Sequence, residues 1–187
     1  MLDKTITCLG SPLMTEYARV LRAKGFACLG NAIGVYCWWF DETAYKKLLG
    51  NASGIDCSRL ITATYKGKEY YALYFGQAKK KTLAARLKWH ICQKHTPSAV
   101  KSGALSTLRQ TISALLGIDE AKSESAVNQL MDDHCLVECW SIGLAKIDAV
   151  EHQVINQGYF PLNIQSNKSV SSEWKKFLKS RRKDVKK

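Results

Sequence analysis

Arg86 and His90 stand four residues apart in a helix-like segment, so their side chains share one face a turn apart. An arginine offers phosphate oxygens a planar, permanently charged fork, and a histidine exchanges protons near neutral pH. Upstream, Tyr74 and Gly76 close a strand, and Gly34-Val35-Tyr36 lies within an earlier one. Downstream, Glu151 falls mid-helix, and Asn163 follows twelve residues later, beyond a helix stop and Pro161. A glutamate is a hard oxygen ligand suited to Mg²⁺, which binds through one or two carboxylates and keeps several waters. Taken singly, each has an ordinary structural reading: helical histidines are usually satisfied surface or core residues, and strand tyrosines usually belong to the core.

The elements that must position these residues follow from local signals. Ser11-Pro12 supplies a capping hydroxyl and then proline, and Gly25 a stop, which predicts a helix over 12–24. Residues 33–39 are β-branched and aromatic and read as a strand. Residues 40–58, with Gly50-Asn51 and Ser53-Gly54, read as an irregular insertion holding one short helix. Residues 59–65 and 69–76 flank the polar turn Lys66-Gly67-Lys68, a hairpin signal. The second of these strands alternates Tyr70, Ala72 and Tyr74 on one face with Tyr71, Leu73 and Phe75 on the other. A strand apolar on both faces belongs inside a sheet covered by helices. Thr82 caps a helix to about residue 95, ended by Pro97. Further helices are expected over 104–116, stopping at Gly117, from Ser123 or Ser125 to about 133, and over 145–157. A strand lies between the last two, at 135–142.

Charge is distributed unevenly along the 187 residues. Residues 1–118 hold 17 basic against 6 acidic residues, 119–167 hold 2 against 8, and 168–187 hold 9 against 2. The stretch 79–101, with Lys79, Lys80, Lys81, Arg86, Lys88, Lys94 and Lys101, contains no acid at all. Such a run fits either a solvated basic face or a nucleic-acid surface on which neutralised phosphates release counterions, and charge alone leaves both open.

Order along the chain decides between the bland and the sharp readings. Gly34-Val35-Tyr36, Tyr74-Phe75-Gly76, Arg86-x3-His90, Glu151 and Pro161-x-Asn163 together resemble the GIY-YIG nuclease superfamily. The nearest likeness is to members with an Arg-x3-His helix, some type II restriction endonucleases among them. The stretch EHQVINQGYFPLN carries the most specific match. The second tripeptide reads YFG, and the gap from Tyr36 to Tyr74 is long, so an insertion at about 40–65 is expected.

The resemblance implies an α+β fold, an α/β/α sandwich with a small, mainly antiparallel central sheet. It divides the chain into a helical N-terminal extension over 1–32, a nuclease domain over 33–167 and a mobile basic tail over 168–187. It implies a metal-dependent DNA endonuclease of restriction or repair type, with Mg²⁺ or Mn²⁺ as cofactor and Glu151 as metal ligand. Tyr36 would be the general base or water orienter, and its phenol would need nearby positive charge to ionise. Tyr74 and His90 would orient water or phosphate, Arg86 would hold phosphate, and Asn163 would position the Glu151 segment. Lys79, Lys80, Lys81, Lys88, Arg181 and Arg182 are the expected nucleic-acid contacts. The partner is DNA, with RNA left open, and the chain is a monomer or homodimer. The alternative is a non-catalytic nucleic-acid-binding protein on the same fold.

Other signals are weaker. His134, Cys135 and Cys139 lack a second ligand pair at finger-like spacing and read as buried thiols with a neighbouring histidine. Gly25, Gly30 and Gly34 form no dinucleotide loop. Of the adjacent Trp38 and Trp39, at least one is expected in the core. Seven cysteines without a CxxC pair, no secretory signal and no membrane-length apolar run lead to the expectation of a cytoplasmic protein.

Overall fold

The run GVYCWWFD forms β2 (Gly34–Asp41), and all eight of its residues are buried. Side chains on both faces of this strand are apolar, so it must lie inside a sheet with cover on each side. In the computed structural model, which describes residues 6, 8–50, 52–165 and 167–186, it does. Asn51 of the expected loop, the first residues of the N-terminal extension and Lys187 of the tail lie outside the described residues.

Among the described residues the sheet has five antiparallel strands, β1 (Met14–Tyr17), β2, β3 (Thr62–Tyr65), β4 (Lys68–Ala78) and β5 (Cys135–Ser141), in the order β1-β5-β2-β4-β3. The β3–β4 hairpin closes through Lys66 and Gly67, both at positive φ (50° and 77°), the conformation a two-residue turn needs to match strand twist. Among the described residues eight α-helices accompany the sheet: α1 (Ala18–Lys24), α2 (Glu42–Leu49), α3 (Leu83–Cys92), α4 (Pro97–Lys101), α5 (Thr107–Leu116), α6 (Glu124–His134), α7 (Ile147–Gln157) and α8 (Ser172–Asp184). The chain is therefore α+β, as expected. One face of the sheet packs on the larger core cluster, with Leu21, Leu83, Leu87, Ile112, Met131 and Trp174. The opposite face packs mainly on α7 through Ile147, Val154 and Ile155. Among the described residues no helix is long and apolar enough to cross a membrane.

Three local expectations are corrected. The helix expected over 12–24 begins as β1, because Met14–Tyr17 pair with Leu136–Cys139, and helix starts only at Ala18. The strict alternation expected along β4 breaks at a bulge. Trp38 pairs with Tyr74 but Trp39 pairs with Ala72, so Leu73 is the extra residue. Leu73 and Tyr74 consequently both face the larger core, opposite Ala72 and Tyr70. Without that bulge Tyr74 would point away from Tyr36. The basic tail, expected to be mobile, forms a packed helix over most of its length. Ser171 caps α8 by accepting from Trp174 N at 3.1 Å, Trp174 and Leu178 are buried, and the Trp174 indole donates to Pro161 O at 2.8 Å.

Candidate active site

The two glycines of the strand motifs are there for space. A Cβ on Gly34 would stand 2.0 Å from the carbonyl oxygen of Trp140 on β5. A Cβ on Gly76 would stand 2.6 Å from the Tyr36 hydroxyl and 2.8 Å from its Cζ. Gly76 is the cross-strand partner of Tyr36, so its missing side chain is the slot into which the phenol folds. Adjoining it on the same face lies Tyr74, with ring centroids 6.5 Å apart.

Helix α3 closes over this slot. Thr82 caps it by accepting from Ala85 N at 3.2 Å, and the helix period places Arg86 and His90 one above the other. Arg86 Nε donates to the Tyr36 hydroxyl at 3.1 Å, and His90 Nε2 lies 2.8 Å from the same oxygen. The arginine also stacks on Trp89, 4.5 Å from the ring centroid. Beneath the helix the fully buried Arg109 donates to the carbonyls of His90 (2.9 Å) and Ile91 (3.3 Å), satisfying acceptors that the helix end leaves open. Burial pulls the pKa of Arg109 down to about 10, where it is still a cation at neutral pH.

Burial, then Arg86 and Arg109, hold the pKa of His90 well below the usual histidine value, so the ring is neutral at pH 7. Its Nδ1 is buried with no partner among the described residues. Burial, aided by Tyr74, pushes the Tyr36 phenol well above its ordinary value, and Arg86 opposes this. The positive charge expected beside Tyr36 is therefore present, but desolvation outweighs it, and the resting phenol keeps its proton. Burial raises Tyr74 too, while Arg86 eases its ionisation.

The outer edge of β4 runs free past β3, which pairs only with its first residues. Asn163 covers part of that edge: its Oδ1 accepts from Phe75 N at 2.8 Å and its Nδ2 donates to Phe75 O at 2.7 Å, as a neighbouring strand would. Both ends of the amide are thereby engaged by the β4 backbone, which ties the segment carrying Asn163 to that strand, and the residue also lines the cleft beyond it. Beyond Phe75 the edge opens into a cleft of about 610 Å³ lined by Tyr74, Gln77, Arg86, Glu151, Lys179 and Arg182. It adjoins a second hollow of about 460 Å³ lined by Lys79, Lys80, Lys81 and Asp148 and sharing Gln77 and Arg86.

Glu151, from α7 on the opposite sheet face, reaches this edge and accepts from Gln77 Nε2 at 2.6 Å. Burial raises its pKa, with Asp148 adding and Gln77 and Arg86 opposing. Gln77 was not legible as a site residue in the sequence, although it directly follows the YFG tripeptide. Its Oε1 is buried and unpartnered. Among the described residues no cluster of three or more His, Cys, Asp or Glu could hold a metal. The donor set at the cleft is thus one carboxylate and an amide oxygen, hard ligands that fit a divalent cation whose remaining positions are filled by water and substrate phosphate.

The expected contacts divide. Lys80, Lys81 and Lys88 are exposed, and Lys79 is ion-paired to Asp148. Arg182 is in the cleft, whereas Arg181 lines a separate hollow beside Phe177. The zinc-like trio does not assemble: Cys135 and Cys139 are buried thiols, and His134 bonds Asp41 at 2.9 Å.

A family model described as the GIY-YIG catalytic domain matches residues 34–184. No curated protein and no solved structure matches the chain.

Proposed function

Since this chain belongs to the GIY-YIG catalytic domain family, whose members are nucleases, we propose that it is a divalent-metal-dependent endonuclease hydrolysing phosphodiester bonds in DNA. The observation that carries the reading is the convergence of Arg86 and His90 on one buried hydroxyl, Tyr36, with Arg86 also lining a basic cleft that holds Glu151.

Hydrolysis needs a nucleophilic water, a cation set for the charge that develops on phosphorus, and a route for the proton. Arg86 supplies the fork: its bond to Tyr36 leaves other guanidinium N–H groups for phosphate oxygens. Phosphate drawn to that fork offsets the Arg86 charge, one of the influences depressing His90. Tyr36 then takes the water proton as its own passes to His90 Nε2, so no bare phenolate forms in the buried slot. Tyr74, at the cleft wall, orients the phosphate. Glu151 and Gln77 would hold the divalent cation, which when bound supplies Lewis-acid stabilisation and helps the departing oxygen.

The substrate is DNA engaged through its backbone, since the cleft and the adjoining hollow are lined by Lys79, Lys80, Lys81, Lys179 and Arg182. The test is digestion of several unrelated plasmids with Mg²⁺ present or chelated. Reproducible discrete fragments assign a restriction-type enzyme, and cleavage confined to branched or damaged DNA a repair-type one. Intact plasmid and intact structured DNA in Mg²⁺ and Mn²⁺ alike would overturn the reading.

A further inference from the structure

Helix α8 presents a second arginine to the cleft that Arg86 lines. Arg182 Nη2 donates to Thr107 O at 3.2 Å and to the Thr111 hydroxyl, and its Nε is buried without a partner. Among the described residues no carboxylate pairs with it: the acid that acts on it electrostatically, Glu120, is itself buried with both oxygens unpartnered. Arg86 is held in the same manner, by a neutral phenol rather than a carboxylate. Both guanidinium groups act on the phenol that lies at the cleft wall, each easing ionisation of Tyr74. Lys179 and Lys186 line the same cleft as Arg182.

Half-buried cations fixed by neutral oxygens keep their full charge, and holding several around one cleft costs energy in the empty protein. An anion between them removes that cost, which is the design of a preorganised anion site. We propose that Arg182 is a second phosphate ligand of the active site, so that a backbone phosphate above Tyr74 is gripped from both sides by Arg86 and Arg182. Lys179 and Lys186 hold neighbouring phosphates of the same strand. This rests on the nuclease reading and gives α8 a part in the reaction that a solubilising tail would not have.

The experiment uses the full chain carrying Glu151→Gln, which binds without cutting, and a short fluorescent duplex titrated across a salt series. Each lost phosphate contact makes the slope of log affinity against log salt shallower by about 0.9. Arg182→Gln is expected to flatten it by about one such unit and, in the cleaving protein, to lower kcat on the order of 10²-fold at saturating DNA. Arg182→Lys keeps the charge without the fork and should restore the slope but not the rate. An unchanged slope and kcat in Arg182→Gln would overturn the proposal. Should that variant fail to fold, Lys179→Ala with Lys186→Ala gives the same readout: a slope flatter by about 1.8 supports the phosphate wall, and an unchanged one rejects it. Wild-type protein that binds with these slopes yet never cleaves would sink the nuclease reading and leave the phosphate wall standing.

Discussion

Replacing Gly76 by alanine adds one methyl group at the point where the site can least accept it. In most strands the exchange is mildly favourable, since glycine costs about 0.5–1 kcal/mol in backbone entropy relative to alanine. Here the added carbon would stand 2.6 Å from the Tyr36 hydroxyl and 2.8 Å from Cζ, well inside contact distance, and the phenol has no exposed surface into which to retreat. Overpacking a filled interior costs about 1–3 kcal/mol, so the clash outweighs the entropy gain. For a chain of this size each kcal/mol moves Tm by about 2–4 °C, so the net cost left after the entropy gain, up to about 2.5 kcal/mol, gives an expected fall of up to about 10 °C. Relief comes by tilting the ring, which lengthens both the 3.1 Å bond from Arg86 and the 2.8 Å contact with His90. Cleavage should therefore fall on the order of 10²-fold, more than the lost stability alone accounts for. The assay pairs thermal unfolding with single-turnover cleavage. Gly143→Ala is the control: its added methyl meets nothing within 4 Å and its φ is an ordinary −59°, so Tm and rate should stay level or rise slightly. A Gly76→Ala protein with wild-type Tm and rate would refute the space argument and the placement of Tyr36.

Gln77→Leu removes the hydrogen bond that opposes the burial-driven rise in the Glu151 pKa. The acid limb of the pH–rate profile should move to higher pH and half-maximal rate should need more Mg²⁺; a profile unchanged in both respects would make Gln77 a bystander. Arg86→Lys keeps the charge but loses the planar fork, so kcat should drop on the order of 10²-fold with a much smaller change in DNA affinity, and a loss confined to affinity would reduce Arg86 to a backbone contact. Glu120 is buried with unpartnered oxygens and burial raises its pKa, so the folded state binds its proton more tightly than the unfolded chain does. Its contribution is favourable below the ordinary carboxylate range and is lost as pH rises through the raised value. Glu120→Gln should therefore raise stability at pH 7–8 relative to wild type and do much less at pH 4; equal effects in urea melts at both pH values would contradict this.

Much of the site was legible in the sequence because its parts are local. The Thr82 cap, the Gly117 stop and the four-residue spacing of Arg86 and His90 each depend on a few neighbours, and the structure has them where those signals put them. What was missed depends on partners far along the chain. The four residues of β1 become a strand only because β5 offers its edge, against a good local helix signal at Ser11-Pro12. The Leu73 bulge, which turns Tyr74 toward Tyr36, is a mismatch between two strands and leaves no mark in either alone. Gln77 gains its place from Glu151 on α7, 74 residues along the chain, and the setting of Arg182 comes from Thr107 and Thr111 on α5, more than 70 residues before it. Trp174 and Leu178 are apolar residues in the tail, but nothing nearby said that Pro161 would receive the indole or that α5 would meet this helix.

The account stands most directly on the charge of Glu151. Glu151→Gln keeps the shape of the side chain and an oxygen to accept from Gln77, but removes the negative charge a divalent cation requires. Wild-type and variant protein are incubated with the same duplex DNA in Mg²⁺, with binding followed alongside cleavage. The predicted result is cleavage by the wild type alone, abolished by chelation, with the variant folded and binding DNA at least as tightly. Cleavage by Glu151→Gln at the wild-type rate would contradict the assignment of the site.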